Sequence, residues 1–196
     1  MSPVEQLEEL GSCSANAVAG VLEYLIKRKY NIDMDVSRLF IYYNARRIDY
    51  QHSSFGDSGA TLTGGVRAVR KYGVCDEKIW PYDIKLVNKR PGSYAYRAAR
   101  RYTARPVRVP INLPSIKTSL ANGLPVTLSL ILSESADSES KQNGGYISIP
   151  NLSTTTVNNS SMHSIVICGY DERTQHFLVR NSWGEQWVNR SKTILN

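Results

Sequence analysis

The chain has 196 residues, 41% of them hydrophobic, and a formal net charge of +7. This size and composition suit one globular domain, or two lobes, with a sizeable core. They exclude a membrane-spanning segment, because no apolar run approaches the ~18 residues that a bilayer requires. Residues 1–6 lack the basic region and apolar core of a signal peptide, so we expect an intracellular (cytoplasmic) protein.

Helices are predicted in the first half of the chain. Apolar residues recur at helical spacing over 14–29, which predicts one long central helix. A second helix is expected to begin near Asp35 or Ser37, either of which is suited to cap it. A third is predicted over Leu62–Tyr72 and ends before Gly73, because glycine readily adopts the left-handed conformation that follows a helix.

Strands dominate the second half. They are predicted over 126–132, 163–169 and 176–180, the last two joined as a hairpin. Helices followed by strands indicate an α+β fold with two lobes. The weaker predictions are a short helix at 93–101, a strand at 107–109, a short helix at 115–122, a polar loop at 133–145 and a strand at 146–149.

A basic stretch lies between Asp83 and Glu134, where no acidic residue occurs and tyrosines are interleaved. Such a stretch is able to bind phosphate groups or an acidic partner, or it is a solvated face. No nucleic-acid-binding fold is recognisable, so we favour the solvated face and expect no nucleic-acid partner. The cations are Lys85, Lys89, Arg90, Arg97, Arg100, Arg101, Arg105, Arg108 and Lys117.

The three cysteines, Cys13, Cys75 and Cys168, fit neither a disulfide framework nor paired metal ligands, and we predict no metal or cofactor. Cys75 and Cys168 stand among apolar neighbours and are interpreted as small packed side chains. Cys13 instead follows a Gly-Ser turn and opens the first helix, where the helix dipole favours a thiolate. An isolated cysteine is more often buried and inert, so its role depends on partners elsewhere.

Two later motifs supply those partners. His163 leads an apolar strand, and Asn181 ends the next one, followed by Ser-Trp-Gly. If the two strands pair as a hairpin, the Asn181 amide is able to fix the tautomer of the His163 imidazole. Nucleophile, base and orienting residue then follow in order along the chain.

With these motifs the chain resembles the papain family of cysteine peptidases, and most of all its disulfide-poor branch in microbes and large DNA viruses. The resemblance implies one papain-like domain over 1–196, with a helical lobe at about 5–90, an antiparallel β-barrel-like lobe at about 105–196 and an active-site cleft between them. The residues that carry it are Gln6, 10–17, 39–46, 57–60, 71–75, 80–82, His163, 169–171 and 181–184.

The resemblance also implies catalytic roles. Cys13 is similar to the nucleophile of the family, His163 to its acid/base partner and Asn181 to the residue that orients the imidazole. Gln6 resembles the glutamine of the oxyanion hole. It stands seven residues before Cys13, one more than is usual in the family.

Substrate-binding roles are implied for four further positions. Gly59 and Ala60 resemble the edge that hydrogen-bonds an extended peptide, Trp183 resembles the indole that shields the histidine–asparagine pair, and Ser12 lies beside the nucleophile. The implied protein is a monomeric, intracellular or virion-associated endopeptidase that acts on a protein or peptide substrate, without a membrane partner. A catalytically weak or inactive papain-fold binding module is the alternative.

The end of the sequence departs from the pattern of the family. After Trp187 the chain reads Val-Asn-Arg-Ser-Lys, where the family has glycines and a further strand. We therefore expect one closing strand of the second lobe to be missing or replaced.

Overall fold

The structure is a computed structural model, and it describes residues 3–4, 6–7, 9–51, 56–133, 135–147, 160–184 and 193–195. Two compact units make up the chain, one of Met1–Pro3 and Leu7–Arg108 and the other of Val4–Gln6 and Val109–Asn196. Within the described ranges, no helix has both the length and the apolar character needed to cross a membrane.

The first unit is helical. The predicted central helix is confirmed with Lys27, Arg28 and Lys29 in its last turn, where cations offset the negative end of the helix dipole. The helices are α1 Cys13–Tyr30, α2 Arg38–Tyr50, α3 Leu62–Tyr72 and α4 Ser93–Ala99, with a 3₁₀ turn at Ile84–Leu86.

Helix ends in this unit follow local side-chain chemistry. Ser37 rather than Asp35 caps α2, because the Ser37 hydroxyl accepts a hydrogen bond from the Phe40 amide. The prediction for α3 is confirmed at both ends, and Gly73 follows it with a φ of 79°. Gly73 has to be glycine, since a Cβ here would lie 1.9 Å from the Ala99 carbonyl oxygen.

The core of the first unit lies where α1, α2 and α3 meet. Val18, Leu22, Leu39, Ile41 and Val69 are buried in one apolar cluster. Each such side chain contributes about 1.5–3 kcal/mol relative to an exposed one, so burial fixes how the three helices pack. A smaller cluster joins α4 to α2.

The elements of the second unit are α5 Leu113–Ala121, β1 Val126–Ser133, α6 Ala136–Gln142, β2 Tyr146–Ile147, β3 Ser160–Asp171, β4 His176–Arg180 and β5 Thr193–Leu195. Within the described residues, the five strands form one sheet in the order β1-β3-β4-β5-β2. Neighbouring strands are antiparallel, except that β2 runs parallel to β5. The hairpin predicted for β3 and β4 is confirmed.

Two predictions in this half of the chain are wrong. Residues 107–109 do not form a strand. Val107 is 84% exposed, so burial of its side chain does not stabilise a strand there. The stretch 133–145 is not a loop, because α6 forms within it. Acidic residues in the first turn of α6 and Lys141 in its last turn match the helix dipole, and Lys141 also pairs with Asp137.

A strand is present near the end of the chain, after the departure from the family pattern. Residues 193–195 form β5, which lies between β4 and β2 in the sheet. Residues 185–192, where the departure from the family pattern begins, lie outside the described residues, as do residues 148–149 of the strand predicted at 146–149.

Candidate active site

Cys13 is the first residue of α1 and is partly exposed. Ser12 occupies the position that caps the helix, but its side chain does not bond the amides of the first turn. Cys13 therefore stands at the positive end of the helix dipole, which stabilises an anion, beside first-turn amides that Ser12 does not cap. Such donors suit both a thiolate and the oxyanion that forms in acyl transfer.

The residue before Cys13 is held by a chain of hydroxyl groups. Asn16 Nδ2 donates to Ser12 Oγ at 3.0 Å and to the Ser12 carbonyl oxygen at 3.1 Å. The Tyr82 hydroxyl donates to the Leu7 carbonyl at 2.9 Å, so in the 2.6 Å bond between the two hydroxyls Ser12 is the donor. Ser12 is 0% exposed as a whole residue, so both its side chain and its main chain lie beneath the surface beside Cys13.

Tyr82 is itself held from behind by an ion pair. The Tyr82 amide donates to Glu77 Oε1 at 2.8 Å, and Arg38 Nη2 donates to the same oxygen at 2.8 Å. The Arg38 guanidinium also lies 4.2 Å from the centre of the Tyr82 ring. The two charged side chains are only 10% and 13% exposed, so this support is largely out of contact with solvent.

A second set of hydrogen bonds joins the turn before Cys13 to Gly59, which belongs to the expected substrate-binding edge. The Gly11 amide donates to Asp57 Oδ2 at 3.1 Å. The Tyr42 hydroxyl donates to Asp57 Oδ1 and accepts from the Gly59 amide at 3.1 Å. Burial, and then the bond to Asp57, raise the pKa of Tyr42, which keeps it protonated as a donor. A Cβ on Gly11 would lie 3.2 Å from Gly59 Cα, so a larger residue at position 11 would have to push the two backbones apart by a few tenths of an ångström.

In the second unit, the geometry around His163 fixes its tautomer. His163 lies on β3 opposite Leu130 of β1, and its Nε2 is 2.8 Å from Asn181 Oδ1. The same oxygen accepts from the Ser182 amide at 2.8 Å, which assigns it as the carbonyl end of the Asn181 side chain. An amide oxygen only accepts, so Nε2 carries the proton and Nδ1 is the basic nitrogen of the neutral ring.

Trp183 covers the imidazole of His163. The two rings stack with centroids 4.9 Å apart and planes 26° apart, and the indole also packs against the apolar cluster of β1, α6 and β2. The main chain of Gln6 forms an antiparallel bridge with Trp183. Gln6 Oε1 lies only 2.7 Å from the position of a Cβ on Gly184, whose φ is 85°. The structure thus groups Gln6 with Trp183 and Gly184.

The other cysteines are poor candidates for a nucleophile. Burial raises the pKa of Cys75 to about 12, and its side chain is 1% exposed. Burial also raises the pKa of Cys168, which sits at the irregularity in the pairing of β3 with β4. Both thiols are therefore held in the unreactive form, which supports their interpretation as packed side chains. None of the three cysteines, all of which are described, forms a disulfide.

The sequence analysis assigned no role to Tyr42, Asp57 and Tyr82. Their bonds join residues far apart in sequence, 46 positions for Gly11 with Asp57 and 75 for Leu7 with Tyr82. Local periodicity does not record such contacts. The available signal was that all three residues fall inside motifs that carry the family resemblance.

Comparison with known proteins decides the family. A family model described as papain family cysteine protease matches residues 1–191. The chain belongs to the papain family. It is 31% identical over 188 residues to an uncharacterized peptidase C1-like protein of Acanthamoeba polyphaga mimivirus, an alignment that covers 91% of this chain and 59% of that protein. Mouse cathepsin K is 26% identical over 200 residues, an alignment that covers 100% of this chain and 56% of cathepsin K.

Solved structures confirm the papain-like α+β fold. Xylellain, a cysteine protease from Xylella fastidiosa, is 30% identical with a TM-score of 0.81, covering 99% of this chain and 76% of that one. The Carica candamarcensis cysteine protease in complex with E-64 has a TM-score of 0.68 at 19% identity, and the match covers 100% of this chain and 83% of that one. At this identity the similarity is one of fold alone. The papain-family chain described here spans little more than half the length of the curated relatives it matches.

Proposed function

We propose that this chain is a thiol-dependent cysteine endopeptidase, with Cys13 as the nucleophile, His163 as the acid/base and Asn181 as the residue that orients the imidazole. The observation that carries the proposal is the bond from His163 Nε2 to Asn181 Oδ1, beneath a stacked Trp183. This bond leaves Nδ1 to take the proton of a thiol. Family membership supports Cys13 as that thiol.

The proposed reaction has two stages. His163 Nδ1 takes the Cys13 proton, and the thiolate attacks the peptide carbonyl carbon, whose oxygen becomes negative. The first-turn amides of α1, together with Gln6, stabilise that oxygen. His163 then protonates the leaving amine and an acyl-enzyme remains. In the second stage His163 takes a proton from water, the hydroxide attacks the thioester, and the carboxylic acid leaves as the thiol is restored.

We propose that an extended peptide substrate binds along Gly59 and Ala60 through main-chain hydrogen bonds, as an added strand would. The Gly59 amide already donates to Tyr42, so Ala60 is the residue we assign to the substrate's backbone. Both residues are partly exposed, as a binding edge requires. Three thiols without a disulfide also suit a reducing compartment, and we propose an intracellular setting.

Labelling with E-64, a ligand of the Carica protease structure, tests the nucleophile. We expect the folded protein to gain one label, located on Cys13 by peptide mass spectrometry, and to lose it in Cys13→Ala. Cys75→Ala is the matched control and should still be labelled. Labelling that persists in Cys13→Ala, or an unlabelled folded wild type, would contradict the proposal.

A panel of fluorogenic peptides tests the reaction itself. Wild type should release the fluorophore, whereas Cys13→Ala and His163→Ala should fall to the background rate. If the folded wild type neither hydrolyses any peptide nor reacts with E-64, the chain is a papain-fold binding module instead.

A further inference from the structure

A concave basic pocket of about 700 Å³ lies within the first unit. Its lining residues are not among those described above around Cys13 and His163. Its cations come from four places in the chain: α2, α3, the turn before α4, and α4 with the residue that follows it. They are Arg47, Lys71, Arg90, Arg97 and Arg100.

Among the described residues, the lining of this basic pocket contains five cations and no carboxylate. Within the described part of the chain, the ion pairs also leave out its four exposed cations, which are Lys71, Arg90, Arg97 and Arg100. Like charges gathered in a concavity repel one another and raise the local potential. A bound anion would relieve that repulsion.

The floor of the basic pocket is closely packed. Asn44 is 2% exposed, and its Oδ1 accepts from the Tyr96 hydroxyl at 2.8 Å, which ties α4 to α2. The Tyr96 ring meets Phe40 and Tyr72 edge-on at centroid distances of 5.1 and 5.5 Å. The Arg90 guanidinium lies 5.9 Å from the same ring. Helix α4, which carries Arg97, is therefore anchored against α2 and α3 through Tyr96.

Two of the cations form one rim of the pocket. Arg97 lies in the last turn of α4, and Arg100 is the residue that ends it. Residues three apart lie on the same side of a helix, so both side chains line the pocket together. Guanidinium groups bind phosphate oxygens through paired N–H donors, which makes arginine-rich concavities suited to phosphate groups.

We propose that this basic pocket binds a small polyphosphate anion, that is, a compact ligand with two or more phosphate groups, such as inorganic tripolyphosphate or a nucleoside triphosphate. Its volume falls within the ~300–1,000 Å³ range of small-molecule sites. Five cations around one concavity match several negative charges on one ligand. A concave site favours such a ligand over a nucleic-acid strand, which needs an extended track of cations and aromatic faces.

The test is calorimetric titration of full-length Cys13→Ala protein with tripolyphosphate and, separately, with ATP. The Cys13→Ala background makes the outcome independent of the proposed peptidase activity. We expect saturable binding of one ligand per chain that weakens as salt is raised, with each ligand displacing the other. ATP carries an adenosine, that is a ribose and a base, on the three phosphates that tripolyphosphate also has, so comparing their affinities shows whether the phosphates alone suffice.

Matched charge reversals locate the site. Arg97→Glu with Arg100→Glu should weaken tripolyphosphate binding at least tenfold. Arg105→Glu with Arg108→Glu makes the same change in net charge, from +7 to +3, at exposed positions outside the lining, and should weaken it less than threefold. Lys71→Ala is a milder second variant in case the first pair does not fold.

Three outcomes would overturn the proposal. One is no saturable binding of either ligand at 50 mM salt. The second is an equal loss of affinity in the two charge-reversed pairs, which would mean a general effect of net charge. The third is that a single-stranded oligonucleotide binds more tightly than tripolyphosphate and that its affinity falls equally in the two charge-reversed pairs. This result would mean that an extended basic face, and not the pocket, binds the ligand.

Discussion

Cys13 and His163 are held in place in different ways. Ser12, the residue before Cys13, is fixed through its hydroxyl, which bonds Tyr82, 70 positions further along the chain. His163 bonds Asn181, which is only 18 positions away and directly follows the neighbouring strand of one hairpin. The base is thus positioned by one local motif, whereas the nucleophile is positioned by contacts that span the first unit.

This difference implies that substitutions around Cys13 and substitutions around His163 have different consequences. A long-range network forms only when the first unit has folded, so breaking it should lower stability as well as activity. The hairpin is held by the sheet whether or not Asn181 bonds the imidazole. A change at Asn181 should therefore mainly affect the reaction.

The largest expected effect is at the ion pair behind Tyr82. Glu77→Ala removes the carboxylate that accepts from Arg38 and from the Tyr82 amide, both in a largely buried setting. We expect the free energy of unfolding to fall by about 3–5 kcal/mol. Urea denaturation followed by circular dichroism measures it.

The matched control is Asp137→Ala, which breaks the half-exposed pair with Lys141 and should cost about 0–1 kcal/mol. Similar losses for the two variants would contradict the view that the network behind Tyr82 supports the first unit.

Asn181→Ala should have the next largest effect, and on catalysis rather than stability. It removes the acceptor that fixes the His163 tautomer. Hydrogen bonds to charged groups contribute about 1.5–3 kcal/mol, so kcat/KM should fall roughly 10- to 150-fold. Ser129→Ala, which loses a hydrogen bond to Ser164 in the same sheet, is the control and should leave kcat/KM within about threefold. Equal losses in the two variants would mean a general disturbance of the sheet.

Because Cys75 is buried, the free energy of unfolding should depend on pH in the alkaline range. Burial raises its pKa to about 12 from an ordinary value of 9.0. Below about pH 9 both the folded and unfolded thiols are protonated and this contribution is constant. Between pH 9 and 12 only the unfolded thiol loses its proton, so the unfolding free energy falls by up to about 1.4 kcal/mol per pH unit.

Urea denaturation at several alkaline pH values measures this slope. Cys75→Ala should unfold more easily at neutral pH because of the cavity, yet show a shallower decline above pH 9. Parallel declines in wild type and variant would show that Cys75 ionises in the folded state as readily as in the unfolded one.

The sequence was informative where local rules decide the structure. The bounds of α3 follow from periodicity and Gly73, and the pairing of β3 with β4 follows from two apolar runs around a turn. It misled where composition resembled a loop, as in α6, whose polar residues form a helix with matched end charges.

Side-chain networks were beyond sequence reasoning for a different reason. The bond between Ser12 and Tyr82, and the bond between Asp57 and Gly11, depend on tertiary packing that brings distant residues together. Family resemblance named candidate residues such as Cys13. It did not reveal that Ser12 is enclosed.

The smallest expected effect comes from Tyr82→Phe, which removes a single hydroxyl at the centre of that network. The Ser12 hydroxyl loses its acceptor and the Leu7 carbonyl its donor, while the Phe ring retains the contact with Arg38. We expect a loss of about 1 kcal/mol in unfolding free energy and a severalfold fall in kcat/KM. Tyr94→Phe, at a 61% exposed tyrosine, is the control. If Tyr82→Phe lost stability but kept full kcat/KM, the network would support folding without positioning Cys13.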